Sequence, residues 1–224
     1  MNSNETRTFG DWTLTVVVGD PPFYENGFLI SHDPSGDTAA VDPGCAATKF
    51  TNPVALAGGK LTQILLTHGH PDHVSGVAEL QRVIKGPCHV HADEKPVIEV
   101  GSALAGSFGM SGFESPSDCT WFDDNPTLTI GGQPVGVINS PGHTPGGVVF
   151  VFPGFALTGD TLFAQGVGRT DLPGGDGATL GRSIDKVLKE LPGDTVMYSG
   201  HGPSWTVDEA RPWWTWAKDA YGLG

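Results

Sequence analysis

The sequence predicts a mixed α/β (α+β) fold whose strand ends carry the chemistry. Three observations lead there. Short apolar runs rich in branched side chains alternate with segments of helical period. Four apolar runs end in turns that hold histidine or aspartate: residues 68–73, His143, Asp160 and His201. Glycine (33) and proline (18) are abundant among the 224 residues, as many turns between short elements require. The length fits a single domain spanning 1–224, or one domain with a small appendage. No repeat of fixed period interrupts that reading.

Taken in order, residues 11–18 read as a first strand, and 27–32 and 38–41 as the next two. His32-Asp33-Pro34-Ser35-Gly36-Asp37 makes a hairpin turn between them by composition. The third strand ends at Asp42, a short carboxylate suited to bonding nearby backbone amides, so it is expected to brace structure rather than bind a ligand. Residues 45–58 form a weak helix candidate interrupted by Pro53. A strand at 61–66 follows, then a helix whose apolar positions 74, 77, 80, 83 and 84 keep helical period. Residues 88–91 read as a short strand and 93–100 as a short helix. The stretch 101–112 has poor periodicity and much glycine, and is expected to be a loop, either a mobile lid or a surface insertion.

Beyond it, 127–130 and 134–139 form a hairpin around Gly131-Gly132. Residues 148–152 and 155–157 are strands. Leu180, Ile184, Val187, Leu188 and Leu191 mark a helix over 179–191. A strand at 195–198 precedes a last helix, about 207–220, with Pro212 in its first turns. Trp213, Trp214 and Trp216 are expected to dock that helix on the core.

The densest chemistry is Thr67-His68-Gly69-His70-Pro71-Asp72-His73, between the strand and the helix. Imidazole suits zinc, iron, nickel or copper, and carboxylate oxygen completes such sites. His68 and His70 are two apart, so in an extended segment they point the same way and can grip one ion. Asp72 and His73 come where the chain turns, so they point elsewhere and can hold a second. A polar turn with a capping histidine would explain one such residue, but not four within six. Taken alone, His143 and His201 read as turn histidines and Asp160 as a turn aspartate; beside the cluster they supply a full two-metal ligand set. His32, His89 and His91 lack this setting and are read as structural or exposed.

The charge narrows the partners. Twelve Lys and Arg against 25 Asp and Glu give −13, which repels phosphate backbones and argues against nucleic acid. No apolar run approaches the roughly 18 residues of a membrane span. The polar start, Met1-Asn2-Ser3-Asn4-Glu5-Thr6-Arg7, lacks a signal-peptide apolar region, so a cytoplasmic location is expected. Cys45, Cys88 and Cys119 are odd in number and form no CxxC pair, so buried or half-buried free thiols are expected. Oligomeric state is not legible.

Asp42, then His68-x-His70-x-Asp72-His73, then His143, Asp160 and His201, appear in an order that resembles the metallo-β-lactamase-fold superfamily. The resemblance runs from about residue 12 to 205 and implies a four-layer αββα sandwich with a metal site at one edge. By position it implies that His68, His70 and His143 bind one metal, that Asp72, His73 and His201 bind the second, and that Asp160 bridges them. The ions are expected to be zinc, with iron and manganese accepted by the same donors. Within the superfamily the chain is most similar to single-domain bacterial glyoxalase-II-like hydrolases. The phrases that carry this are Ile64-Leu65-Leu66-Thr67-His68-Gly69-His70, Ser140-Pro141-Gly142-His143-Thr144-Pro145-Gly146, Gly166-Val167-Gly168-Arg169-Thr170-Asp171 and Gly200-His201-Gly202-Pro203. Long glyoxalase II enzymes add a C-terminal helical domain with basic residues that hold glutathione. The present chain runs only to Gly224, and Arg169-Thr170-Asp171 replace their lysine and tyrosine. No glutathione-binding residue therefore carries over.

The resemblance implies hydrolysis of a small-molecule acyl thioester, such as S-lactoylglutathione, by metal-bound hydroxide, with Asp72 and Asp160 in the catalytic centre. The alternative is a persulfide dioxygenase of similar fold, with one iron on His68, His143 and Asp160. Pro145 and Gly202-Pro203 favour the hydrolase. A non-catalytic or differently catalytic metal module, including lactonase or β-lactamase activity, is a third reading, with β-lactamase disfavoured by the expected cytoplasmic location. Arg169 is expected to pair with a neighbouring acid, Asp171 or Asp176, rather than with a substrate carboxylate.

Overall fold

Alternation of apolar side chains along each strand decides the architecture, because successive residues face opposite sides of a sheet. The computed structural model describes residues 5–223. The first sheet has seven strands in sequence order: β1 (Thr6–Phe9), β2 (Trp12–Val18), β3 (Asn26–His32), β4 (Asp37–Val41), β5 (Lys60–Leu65), β6 (Cys88–His91) and β7 (Cys119–Phe122). β1 to β4 run antiparallel, and β4 to β7 are parallel. Helices α1 (Thr48–Leu56), α2 (Pro71–Val74), α3 (Val77–Val83), α4 (Lys95–Glu99) and α5 (Gly101–Ser107) belong to this half of the chain.

The second sheet holds β8 (Leu128–Ile130), β9 (Gln133–Asn139), β10 (Val148–Phe152), β11 (Phe155–Gly159), β14 (Val196–Ser199) and β15 (Trp205–Thr206), in the order β15-β14-β11-β10-β9-β8. A separate hairpin pairs β12 (Leu162–Phe163) with β13 (Gly166–Val167). Helices α6 (Gly177–Glu190) and α7 (Val207–Ala220) complete the chain.

Three apolar clusters separate four layers. Leu14, Phe28, Ile30, Val41, Phe150, Phe155 and Leu157 meet between the sheets. Their strand neighbours Val17, Leu29, Ala40 and Ile64 face the other way, onto Phe50 of α1 and Val77 and Leu80 of α3. Val149 and Ala156 turn outward from the second sheet onto Leu180, Ile184 and Val187 of α6 and Trp214 of α7. The result is the αββα sandwich. Helix starts follow capping chemistry: Asp176 accepts from the Thr179 amide, and Thr206 and Glu209 form a reciprocal box at α7. The Trp214 indole donates to Asp185 at 2.8 Å and ties α7 to α6.

Several local readings change. The segment 101–112 is not a loop throughout, because α5 occupies Gly101–Ser107 and buries Ala105. Tertiary burial outweighs weak propensity there. The helix expected over 74–84 is split into α2 and α3 at Ser75-Gly76. The Gly76 N–H donates to the Pro43 carbonyl at 2.8 Å rather than within a helix, and a side chain there would meet the Cys45 carbonyl at 2.0 Å, so the break requires glycine. Of the three tryptophans, Trp214 is buried and Trp213 half-buried, but Trp216 is 69% exposed. Its face of α7 points away from the sheet. Cys45 and Cys88 are buried and Cys119 is half-buried, all three as free thiols. Among the described residues, no helix is long and apolar enough to cross a membrane. Residues 1–4 of the polar start lie outside the described region.

β4 and β5 are parallel, as are β11 and β14, and β9 runs with β11 through antiparallel β10. Their C-terminal ends therefore collect at one edge, where the sheets are stitched together. The Val148 amide donates to the Thr67 carbonyl at 2.9 Å, and the Asn26 amide to the Gly200 carbonyl at 2.7 Å. Gly44 lies in this edge, where an added Cβ would sit 1.7 Å from the Asp72 carbonyl oxygen. Gly44→Ala is expected to destabilise the protein by at least about 1–3 kcal/mol, the cost of overpacking. Thermal unfolding of the two proteins checks this, and an unchanged melting temperature would contradict the close approach.

Candidate metal centre

The site grows from strand ends. After β4 the chain reaches Asp42, held at φ 45°. Its Oδ1 accepts the Thr67 amide at 2.7 Å, and its Oδ2 accepts the Thr67 hydroxyl at 2.5 Å. Oδ2 also lies 3.1 Å from His73 Nδ1. Asp42 is thus the brace its sequence position predicts. After β5 the chain bends at Thr67 and is extended at His70 (φ −67°, ψ 146°), then α2 begins at Pro71, whose missing N–H suits a first helical position. That turn presents Asp72 and His73. His143 follows β9 in the Ser140–Gly147 turn, Asp160 follows β11, and His201 follows β14.

Partners fix the imidazole tautomers. Asp42 is the acceptor for His73 Nδ1–H. The Arg169 carbonyl accepts from His143 Nδ1–H at 2.7 Å. The Thr67 hydroxyl, already donating to Asp42, accepts from His68 Nδ1–H at 3.0 Å. His68 and His143 are left with Nε2 as the lone-pair nitrogen, and His73 presents Nε2 as the position whose proton a metal would displace, an arrangement that orients metal-ligating histidines. Those Nε2 atoms point into the site. His68 Nε2, His73 Nε2 and Asp160 Oδ1 are buried with no hydrogen-bond partner. Unpartnered polar atoms this deep are costly without a partner such as an ion.

Ligand atoms of His68, His70 and His143 lie within 4.8 Å of one another, as do those of Asp72, His73 and His201. His70 Nδ1 is 2.8 Å from His143 Nε2. Asp160 lies between the groups, with Oδ1 at 3.3 Å from His73 Nε2 and Oδ2 at 3.7 Å and 3.6 Å from His143 and His201 Nε2. His201 Nε2 is 3.3 Å from Asp72 Oδ2. Gly200 lets these groups close up, since a Cβ there would lie 2.3 Å from Asp160 Oδ1. All seven residues expected as ligands are brought together. Asp42, His68 and His73 form a third close group, but both Asp42 oxygens are already engaged.

The electrostatics differ between the groups. Burial, reinforced by the other histidines, pushes the His68 pKa well below its usual value. Burial and His143 lower His70 to about 3, and burial lowers His143 despite Asp160. These three rings are neutral near neutrality and ready to donate lone pairs. Burial also works against a charged His73, but Asp160 and Asp72 outweigh it and raise its pKa well above the usual value. For His201, burial is likewise outweighed, by Asp72 and Asp160. Burial raises Asp72 and Asp160, yet His73 and the other histidines bring both below the ordinary carboxylate range. Negative charge gathered around His73 and His201 is what a cation would neutralise.

Two buried acids escape a reading of the sequence. Glu25 is buried with both oxygens unpartnered, and its Oε1 lies 3.8 Å from His73 Nδ1. Burial raises its pKa well above the usual value, against the pull of His73. Glu94 is wholly buried, and burial raises it to about 7. Neither stands in a ligand-like motif, so only tertiary placement reveals them. Of the histidines set aside, His32 and His91 are buried and His89 half-buried. Arg169 pairs with Asp171 at 2.7 Å on an exposed surface, as expected.

Fold and site together define a metal-binding protein of the αββα class. The chain belongs to the metallo-β-lactamase superfamily, whose model matches residues 20–201. That superfamily comprises metallo-hydrolases, and its fold binds divalent metal ions. The chain is 36% identical over 185 residues to a probable metallo-hydrolase, YqgX, of Bacillus subtilis (80% of this chain, 85% of the relative). It is 33% identical over 202 residues to hydroxyacylglutathione hydrolase GloC of Haemophilus influenzae (87% and 93%). Among solved structures, the di-iron-bound form of TTHA1623 superposes with a TM-score of 0.76 at 31% identity (87% and 96%). ETHE1 from Myxococcus xanthus shares the fold alone, with a TM-score of 0.68 at 21% identity (87% and 80%).

If Asp42 orients the ligands, Asp42→Ala is expected to weaken metal binding by about 10–100-fold, the usual effect of losing such a partner. Competition against a chromophoric chelator measures it. Wild-type affinity in the variant would reduce Asp42 to a local structural brace.

Proposed function

We propose that the protein is a dinuclear metal-dependent hydrolase of acyl thioesters of the S-lactoylglutathione kind. His68, His70 and His143 are assigned to one ion, and Asp72, His73 and His201 to the second. Asp160 stands between them. The convergence of the orphaned atoms His68 Nε2, His73 Nε2 and Asp160 Oδ1 carries this reading. The likeness to GloC supports the substrate class. Zinc fits the nitrogen and oxygen donors; iron and manganese fit them too. Bound ions supply a water of lowered pKa and polarise the substrate carbonyl.

The chain's own groups do the rest. Asp72 and Asp160 remain ionised, so they accept hydrogen bonds from water in the site and keep it oriented. The histidines of the first group stay neutral and donate lone pairs rather than protons. A departing thiol has a pKa of about 8.5 in the cysteine case, so it leaves as thiolate without a dedicated acid. A dioxygenase site of His68, His143 and Asp160 alone would leave His73 Nε2 orphaned and the Asp72–His201 pair unused. We take the chain to act as a single domain in the cytoplasm on a small-molecule substrate. The −13 charge disfavours nucleic-acid partners, and nothing in the described helices calls for a membrane.

Metal-loaded protein is expected to release free thiol from S-lactoylglutathione without oxygen and to stop on chelation. Asp160→Ala and His143→Ala should lose metal and turnover together. Oxygen uptake with glutathione persulfide, in place of thiol release, would overturn the hydrolase.

The two groups should also respond differently to acid. Metal must displace protons from His73 and His201, whose pKa values are raised, but not from His68, His70 and His143, whose values are lowered. Lowering pH is therefore expected to empty the Asp72/His73/His201 group first, passing through a stage with half the metal content. Elemental analysis after dialysis across a pH series reads this. Loss of both ions in one step would contradict it.

A further inference from the structure

Glu94 closes the short 3-10 turn Ala92–Glu94 that follows β6. It makes no ion pair with any basic side chain among the described residues. Its two oxygens instead take one backbone donor from each of two loops. Oε2 accepts the Gly69 N–H at 2.6 Å, and Oε1 accepts the Gly146 N–H at 2.7 Å. Gly69 separates His68 from His70, and Gly146 lies three residues beyond His143. One carboxylate thus spans the two chain segments that carry the first ligand group, 73 residues apart between His70 and His143.

Both donor positions are packed against it. A Cβ on Gly69 would fall 2.8 Å from Ile98 Cγ1 and 3.1 Å from Glu94 Oε2. One on Gly146 would fall 2.9 Å from the Glu94 nitrogen and 3.0 Å from its Cγ. The loops are therefore held both by the two hydrogen bonds and by contact. A buried carboxylate without a counter-ion is expensive to keep, and an apolar side chain could fill the same volume at less cost. What an apolar residue cannot do is accept from both amides.

We propose that Glu94 is a positioning residue for the metal centre: it sets the separation of the His68/His70 turn from the His143 loop. The inference rests on the assignment of those three histidines as ligands. A carboxyl group, ionised or not, satisfies both donors because each oxygen keeps a lone pair to accept with. The isosteric amide cannot, because its NH2 would face one backbone N–H. Glu94→Gln therefore keeps the volume and breaks one link. Glu94→Asp keeps the acceptors but is one methylene too short to span both loops.

The test compares metal-free stability and cobalt affinity for wild type, both Glu94 variants and Val187→Ala. Val187 is a buried residue of α6 packed on the far face of the second sheet, so its truncation reports general destabilisation. The expected result is about 10–100-fold weaker cobalt binding in each Glu94 variant, with altered visible ligand-field bands. Val187→Ala should lose stability yet keep wild-type affinity and spectrum. Glu94 variants that bind cobalt as wild type does, or no worse than Val187→Ala at equal loss of melting temperature, overturn the proposal. So does failure of both Glu94 variants to fold while Val187→Ala folds, since Glu94 would then belong to the core. Wild-type protein that binds no cobalt would instead refute the ligand assignment itself, which separates the two failures.

Discussion

The carboxylate of Asp42 is the interaction on which the site depends. It sits at the end of β4 and reaches across to the end of β5, accepting both the amide and the hydroxyl of Thr67. The same oxygen that takes the hydroxyl also faces His73. One buried acid thereby fixes the turn between strand and helix, the tautomer of His73 and, through Thr67, that of His68. Hydrogen bonds to a charged group, made where water is excluded, are the stronger kind. His143, Asp160 and His201 are brought up to this fixed point by the second sheet.

The second sheet could not contribute without close contact between the layers. Thr67 donates nothing further, but its carbonyl receives the Val148 amide, and Asn26 bonds the carbonyls of Ser199 and Gly202 through its side chain. These links place His143, Asp160 and His201 opposite the His68–His73 turn. The centre is thus a product of sheet docking rather than of either sheet alone. Each sheet offers ligands at strand ends, where backbone geometry is rigid and loops are free to vary.

Much of this was legible in the chain because ligand chemistry is written locally. His68, His70, Asp72 and His73 announce themselves by type and spacing, and His143, Asp160 and His201 by their place after apolar strands. The αββα layering came through the family resemblance, while strand alternation such as Leu14, Val16 against Val17 explains it physically. What stayed hidden depends on distant partners. Glu25 and Glu94 look like ordinary surface acids until the fold buries them. α5 has a glycine-rich sequence that reads as loop, and the Gly76 amide at the helix break bonds the carbonyl of Pro43, which no window around residue 76 contains. Trp216 failed the opposite way: its aromatic type suggested burial, but its position on the helix faces water.

The exposure of the ligands is uneven. His68, His70, His73 and His143 are buried, whereas the His201 side chain is 30% exposed. His201 follows β14 in a short turn whose Gly202 has φ 81°. The cluster therefore has a buried back and one half-exposed imidazole at its mouth. Under the assignment proposed above, an ion on His68, His70 and His143 would lie behind buried rings, whereas one on His201 would lie nearer to solvent and exchange faster.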